Sequence, residues 1–376
     1  MSSECAAAEE PLCDAEACVA CGDAVTASCA ADYPATPVCD AASGECMECS
    51  EDDVSACTPD KPACEGGVCV PCSEHDQCPE SACNMSTGAC MPTDRVWWVN
   101  QSVAGPGTGT EADPYKNFTN ALGNIAIGEL GTIYFATPGI HAEKFEVFEG
   151  VTVALIGKSQ GTMEFQGAPT VVVNQDGVLF AHDVDVVGGG NVGVVCTSCQ
   201  AWLSSSEITE NDDGGIDVQG TSTVRIKNLT VGGFLLAAPA IAISAGSNVE
   251  ILYSTLVGGV NNSAALVCQG GATVGVRNSL LASANANPEL VCAGVSITDS
   301  ATESAAVGSV ALGQMPGDGS WFADFAAGDL RLSMTAPSEI ATAAVWHTGD
   351  PSADIEGDAR PTMDGTPDYA GADVPN

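Results

Sequence analysis

From Val178 to Asp299 the chain repeats a short pattern of apolar and polar positions every 21 to 25 residues. Val178, Ala201, Val224, Val249, Val274 and Val295 open the repeats. Phe180, Leu203, Ile226, Ile251, Val276 and Ile297 follow two residues later, and His182, Ser205, Asn228, Tyr253, Asn278 and Asp299 two residues after those. The first two columns are apolar and the third is polar. Alternation with a period of two, inside a repeat long enough for one coil of a solenoid, is what stacked parallel strands leave in a sequence. A single coil cannot bury its own apolar face, so the stack must share one core. The pattern predicts an all-β fold, a right-handed parallel β-helix (a single-stranded solenoid), with coils ~4.8 Å apart. The third column, with His182, Asn228 and Asn278, reads as an internal ladder whose side chains bond from coil to coil.

The flanks extend this reading. Strand-like runs at Thr132 to Phe135, Val151 to Ile156 and Val171 to Val173 precede the matched repeats, and Pro138-Gly139, Gly188 to Gly190 and Gly258-Gly259 mark turns between strands. Asp113-Pro114 offers a helix cap with proline at the first helical position, and Phe118, Ala121, Leu122 and Ile125 follow at helical spacing. A helix over about 113–127 would cover the open end of the stack. The GPGTGT loop at Gly105 to Thr110 lacks the lysine and spacing of a phosphate cradle. The solenoid is expected over 96–376, with a closing segment over about 325–376.

Residues 1–92 are of another kind. Of 19 cysteines in the 376-residue chain, all but Cys196, Cys199, Cys268 and Cys292 fall between Cys5 and Cys90. So few large hydrophobes accompany them that this segment cannot fold on a core alone. Dense cysteine with a weak core predicts a disulfide scaffold and an oxidising, extracytoplasmic compartment. The cysteines repeat in fours: Cys21, Cys29, Cys39 and Cys46; Cys49, Cys57, Cys64 and Cys69; Cys72, Cys78, Cys83 and Cys90. Two bridges per unit are expected, and four cysteines leave three pairings open. Cys5, Cys13 and Cys18 read as the last three of an earlier unit, which points to sequence upstream of Met1. Met1 to Glu4 lacks the basic region and apolar core of a secretory signal.

Asp and Glu number 49 against 10 Lys and Arg, a formal charge of −39. That field repels nucleic acid, which is excluded as a partner, and it favours solubility. No apolar run is long enough to span a membrane.

VWWV at Val96, GPGTGTEADPYKNFTNAL, TIYFATPG and GVTVALIG resemble the opening of bacterial pectin-lyase-like β-helix proteins. Asp329-Leu330-Arg331-Leu332, Ala336-Pro337 and DIEGDARPTMDGTPDYAGAD from Asp354 to Asp373 resemble the closing segment of bacterial surface β-helix proteins with a choice-of-anchor C-terminus. The resemblance implies a secreted or surface-attached bacterial protein. The superfamily also holds polysaccharide lyases and hydrolases. Arg225-Ile226-Lys227 matches the RIK of polygalacturonases and Asn211-Asp212-Asp213-Gly214 resembles their paired aspartates, but the Gly-His-Gly segment between those motifs is missing here. A lyase needs a calcium cluster and a basic residue to take a proton. Asp212, Asp213 and Asp217 are the calcium candidates, and Lys227, Arg277 and Asp213 are the catalytic ones; no other cofactor is implied.

The outward columns carry a second candidate. Leu179, Trp202, Arg225, Glu250, Gly275 and Ser296 stand between the apolar columns, and Ala181, Ser204, Lys227, Leu252, Arg277 and Thr298 follow the second. Trp202, Arg225, Lys227 and Arg277 would share one face, an aromatic platform beside hydrogen-bond donors that suits a sugar. The competing expectation pairs Arg225 with Glu250 across strands. Leu266-Val267-Cys268 and Leu290-Val291-Cys292 should stack on adjacent coils within disulfide reach, and Cys196 and Cys199 are expected to bridge each other. The resulting expectation is an extracellular or outer-surface, non-catalytic protein for adhesion, glycan binding or envelope structure, with an extracellular glycan or cell-surface partner. A polysaccharide lyase or glycoside hydrolase is the alternative.

Overall fold

The fold is taken from a computed structural model that describes residues 12–14, 17–22, 28–40, 43–50, 52–135, 139–233, 238–259, 263–284 and 288–375. Cys5, Pro138 and the side chains of Cys13 and Cys18 lie outside the described residues. The chain divides into two compact units, Met1–Asp94 and Arg95–Asn376.

In the first unit the three cysteine quartets share one connectivity, first to third and second to fourth. The bridges are Cys21–Cys39 and Cys29–Cys46, Cys49–Cys64 and Cys57–Cys69, and Cys72–Cys83 and Cys78–Cys90. Each quartet ends in a short antiparallel hairpin that sets its third cysteine opposite its fourth: Cys39 faces Cys46, Cys64 faces Cys69, and Cys83 faces Cys90. The crossed bridges tie that hairpin to the loop before it, and around the third quartet the apolar cluster among the described residues is Cys72, Cys78 and Cys83 with Met85 and Cys90 beside them.

The second unit is a parallel β-helix. Each full coil contributes strand segments to three faces. A seven-stranded sheet runs from Phe145–Val147 to Leu290–Val291, and a larger, bent sheet supplies the other two faces. Val153, Leu179, Ala201, Val224, Val249 and Val274 stack inward on the first face, beside Leu155, Ala181, Leu203, Ile226, Ile251 and Val276. All twelve are buried in one continuous core.

Five of the six expected repeats stand in this register; the first is slipped by one residue. Leu179 and Ala181, not Val178 and Phe180, pair with Ala201 and Leu203. Val178, Phe180 and His182 therefore sit on the outward side of the strand. The run Val178-Leu179-Phe180-Ala181 is apolar on both phases, so alternation alone cannot choose between them.

The third column is not an amide ladder. With Asp183 in place of His182, its members Asp183, Ser205, Asn228, Tyr253, Asn278 and Asp299 all have positive φ, between 45° and 54°. This is the corner between the first and second faces, and Asp and Asn are enriched because they tolerate the left-handed conformation. Asn228 Nδ2 donates to the Ala353 carbonyl and Asn278 Nδ2 to that of Val345, both far along the chain. The internal ladder lies one residue later and is built of serines. The Oγ atoms of Ser254, Ser279 and Ser300 accept from the backbone N–H of Leu229, Ser254 and Ser279. The same hydroxyls donate to the carbonyls of Leu252, Arg277 and Thr298.

A short helix, Phe118–Leu122, packs Phe118 and Leu122 onto the N-terminal end of the core. Its cap is Asn117, whose side chain accepts from Asn120 N. Asp113 does not cap it. Its carbonyl accepts from Thr108 and Gly109, and Tyr115 bridges Val99, so 113–115 run as extended chain beside the first strand. His141 is buried against Phe118 and Phe135 at this end.

The C-terminal segment folds back over the second face. Trp321, Phe322, Phe325, Leu330 and Ile340 form a second core with Tyr253, Val257, Leu280 and Ala301. Arg360, whose side chain is fully buried, lies 4.1 Å over the Tyr253 ring, pairs with Asp368 at 3.1 Å and donates to Gly371 O. This clamp explains how a bulky tyrosine holds a φ of 46°. No helix among the described residues is long and apolar enough to cross a membrane.

Candidate functional site

Two groups of side chains stand out on the solenoid. The first is the outward side of the first face. Trp202 stands between Phe180 and Arg225 in one column. Its ring lies 4.9 Å from that of Phe180, and the Arg225 guanidinium sits 5.8 Å from its centroid. Leu179, expected beside Trp202, faces the core instead. Phe180 is buried and Trp202 half-buried, so part of the indole reaches solvent above a buried aromatic neighbour. Arg225 also pairs with Glu250 at 3.1 Å, the cross-strand partner. In the next outward column His182 Nδ1 and Ser204 Oγ are 2.9 Å apart, followed by Lys227, Leu252 and Arg277.

The basic row does not act as one surface. Arg277 makes a two-point ion pair with Asp350, through Nη1 to Oδ2 at 2.7 Å and Nη2 to Oδ1. Asp350 also accepts from Asn278 Nδ2 and from His347 N. Arg277 is thus taken by the C-terminal segment, which leaves exposed Arg225 and half-buried Trp202 as cross-strand neighbours, with half-buried Lys227 in the adjoining outward column. Asp213 lies in the turn before the strand Ile216–Gln219, on the third face, away from Lys227 and Arg277 on the first.

Asp212, Asp213 and Asp217 do not form a ready calcium cage. Asp217 accepts from Gln219 Nε2 at 2.6 Å, and Asp212 and Asp213 are exposed. Among the described residues, the groups of three metal-ligating side chains with converging atoms consist of cysteines that are already in disulfides. Cys196 bridges Cys199 and Cys268 bridges Cys292. The strand register sets Leu266 against Leu290, so Cys268 and Cys292 stand on adjacent coils with Cα atoms 4.5 Å apart.

The second group is acidic and lies where the second face meets the C-terminal segment. Asp185 Oδ1 accepts from Glu207 N at 3.0 Å. Burial pushes the Glu207 carboxyl up to about 7, helped by the charges of Asp185, Asp329 and Glu356 and opposed by Arg331. Burial also lifts Asp185, and it raises Asp373 to about 6. Arg331 is the cation here, bonded to Asp329 at 2.8 Å and 3.6 Å from Glu356. A carboxyl raised this far lies in the range where general acids work. Asp185 and Glu207 stand on neighbouring strands, Val178–Val187 and Gln200–Thr209. Asp329, Glu356 and Asp373 converge on them from more than 100 residues away, which no local pattern signals.

Residues 1–96 match a family of unknown function, DUF8331. No curated protein matches the chain. Among solved structures, a pectate lyase, Pel9A, aligns with a TM-score of 0.35 and 15% identity, over 75% of this chain and 96% of that one.

Proposed function

We propose that this chain is an extracytoplasmic, surface-attached β-helix protein of bacterial type that binds an extracellular glycan without turning it over. The observation that carries the reading is the Phe180–Trp202–Arg225 column, where a half-exposed indole is braced from below and flanked by a guanidinium. The apolar face of a pyranose stacks on such a ring while its hydroxyls meet the guanidinium and the Glu250 carboxylate. The pairing of Arg225 with Glu250 and of Arg277 with Asp350 supports a binding rather than a proton-abstracting role, because neither arginine stands as a lone cation. The bridged quartets of the first unit suit a compartment where disulfides persist, with that unit as stalk or spacer. In a glycan-binding assay, Trp202→Ala is expected to weaken binding by about tenfold, and unchanged binding would remove Trp202 from the site.

A glycoside hydrolase is the second reading, favoured by Glu207 alone. It requires new reducing ends that disappear in Glu207→Gln.

A further inference from the structure

The two ends of the solenoid are finished differently. At the N-terminal end the first strand, Val96–Val99, is taken up by the chain that follows it. Trp98 N donates to Gly109 O, Tyr115 N to Trp98 O, and Asn100 N to Tyr115 O. The helix Phe118–Leu122 closes the core beside them. At the C-terminal end the last strand is Ser309–Ala311, which pairs only with Ser300–Thr302. The segment before it crosses the end of the core so closely that a Cβ at Gly308 would run into Ile297 O. Ala306 packs inward there, and Val307 is turned out, 96% exposed. In the last strand Val310 is 37% exposed and Ala311 is exposed as well. Leu312 N donates to Thr302 O, so by alternation the N–H and C=O of Ala311 point away from the sheet. Among the described residues they have no partner.

Charge sets this end apart. Charged residues make up 16% of the chain and sum to −39, yet Ser304 to Gly317 contains none. The nearest acids are turned inward. Glu289 is buried and accepts from Ser304 N at 2.9 Å, and Glu303 is buried and accepts from Met315 N at 2.8 Å. An open strand edge invites another strand unless charge, proline or a covering segment blunts it. Ser309–Ala311 carries none of the three.

The same features select the partner. A cationic protein finds its match elsewhere on so acidic a surface, not at its uncharged end. Two copies of this chain repel one another wherever they are charged, so a neutral patch is where they can meet. The N-terminal end offers no open strand for head-to-tail stacking. The C-terminal edge is therefore matched by its own like, antiparallel across a two-fold axis.

We propose that the C-terminal end of the solenoid is a self-association surface, where two copies pair their Ser309–Ala311 strands antiparallel about Val310 and Val307 of each packs on the other. The contact is small, so the dimer is weak and depends on concentration. This goes beyond the glycan-binding reading and does not depend on it.

Sedimentation equilibrium of the oxidised full chain is the test, with circular dichroism as the check on folding. The expected result is a monomer–dimer equilibrium at micromolar concentration. Val310→Glu sets like charges against each other across the axis and should weaken the dimer at least about tenfold. An equimolar mixture with Val310→Lys should restore it, which only a surface that faces itself can do. Ala311→Pro removes the N–H that the partner strand needs and should weaken it too. Added salt should strengthen the dimer, because the charges it screens are the repelling ones. Val307→Glu, at a fully open position, supplies the same reading if Val310→Glu misfolds. A chain that stays monomeric up to about 100 µM overturns the proposal. So does a dimer that neither glutamate variant weakens, one that salt dissolves, or an open polymer in place of the dimer.

Discussion

Arg277 of the solenoid and Asp350 of the C-terminal segment, 73 residues apart, meet in a two-point ion pair whose carboxylate is only 3% exposed. The contact joins the first face to the chain that covers the second, and it converts an expected ligand residue into a fastening.

Asp350→Ala should therefore destabilise the second unit. Breaking a fully buried pair costs ~3–5 kcal/mol. Arg277 is 34% exposed and regains some hydration, so about 2 kcal/mol is expected. Urea unfolding measures it, and a change within about 0.5 kcal/mol would mean that the pair fastens nothing.

Ser205 tests the corner. It has φ 47° and is half-buried at the first-to-second-face bend. Ser205→Gly should be neutral or slightly favourable to the native backbone. Ser205→Val should cost roughly 1–2 kcal/mol, because a β-branched residue resists the left-handed region. Equal melting temperatures for the two variants would contradict the corner geometry.

Stability should fall as pH rises from 5 to 8. Glu207 and Glu303 are raised to about 7, and Asp373 to about 6, mainly by burial. A raised carboxyl favours the folded state when protonated. Its contribution is complete below the unfolded value near 4.5 and is lost as pH climbs through 6 to 7. His141, lowered to about 4 by burial, acts the other way: the unfolded state takes up its proton first, so stability falls as pH drops from 6.5 toward 4. Thermal melts should decline from pH 5 to 8, because the three carboxyls outweigh the single histidine, and Glu207→Gln/Glu303→Gln should flatten that decline. A melting temperature that rises from pH 5 to 8 would refute these protonation states.

The first unit should depend on its bridges. Their loops span 11 to 18 residues, a length at which each closure is worth ~3 kcal/mol. Peptide mapping should recover Cys21–Cys39, Cys49–Cys64 and Cys72–Cys83 with their crossed partners, and reduction should abolish protease resistance of residues 1–94 before that of the solenoid. Recovery of adjacent pairs such as Cys21–Cys29 would contradict the connectivity.

The solenoid was legible because Ala201, Val224, Val249 and Val274 must all face one core, and a strand slipped by a single residue would expose every one of them. Where both phases are apolar, as at Val178 to Ala181, that constraint vanishes and the register slipped. The corner looked like a ladder because Asn and Asp serve both roles, and Tyr253 gives no hint of a positive φ. The pairing of Arg225 with Glu250 follows from neighbouring strands and was readable as an alternative. That of Arg277 with Asp350, like the company of Glu207, depends on how a distant segment folds back, and no local pattern records it.

Binding without turnover can be measured directly. Purified, oxidised protein incubated with neutral and acidic polysaccharides, with and without calcium, reports retention, ultraviolet absorbance from new double bonds, and reducing ends together. Saturable retention that Trp202→Ala weakens is expected, with no rise in absorbance or reducing ends. New reducing ends that Glu207→Gln abolishes, or new absorbance in the presence of calcium, would contradict it and make the molecule an enzyme.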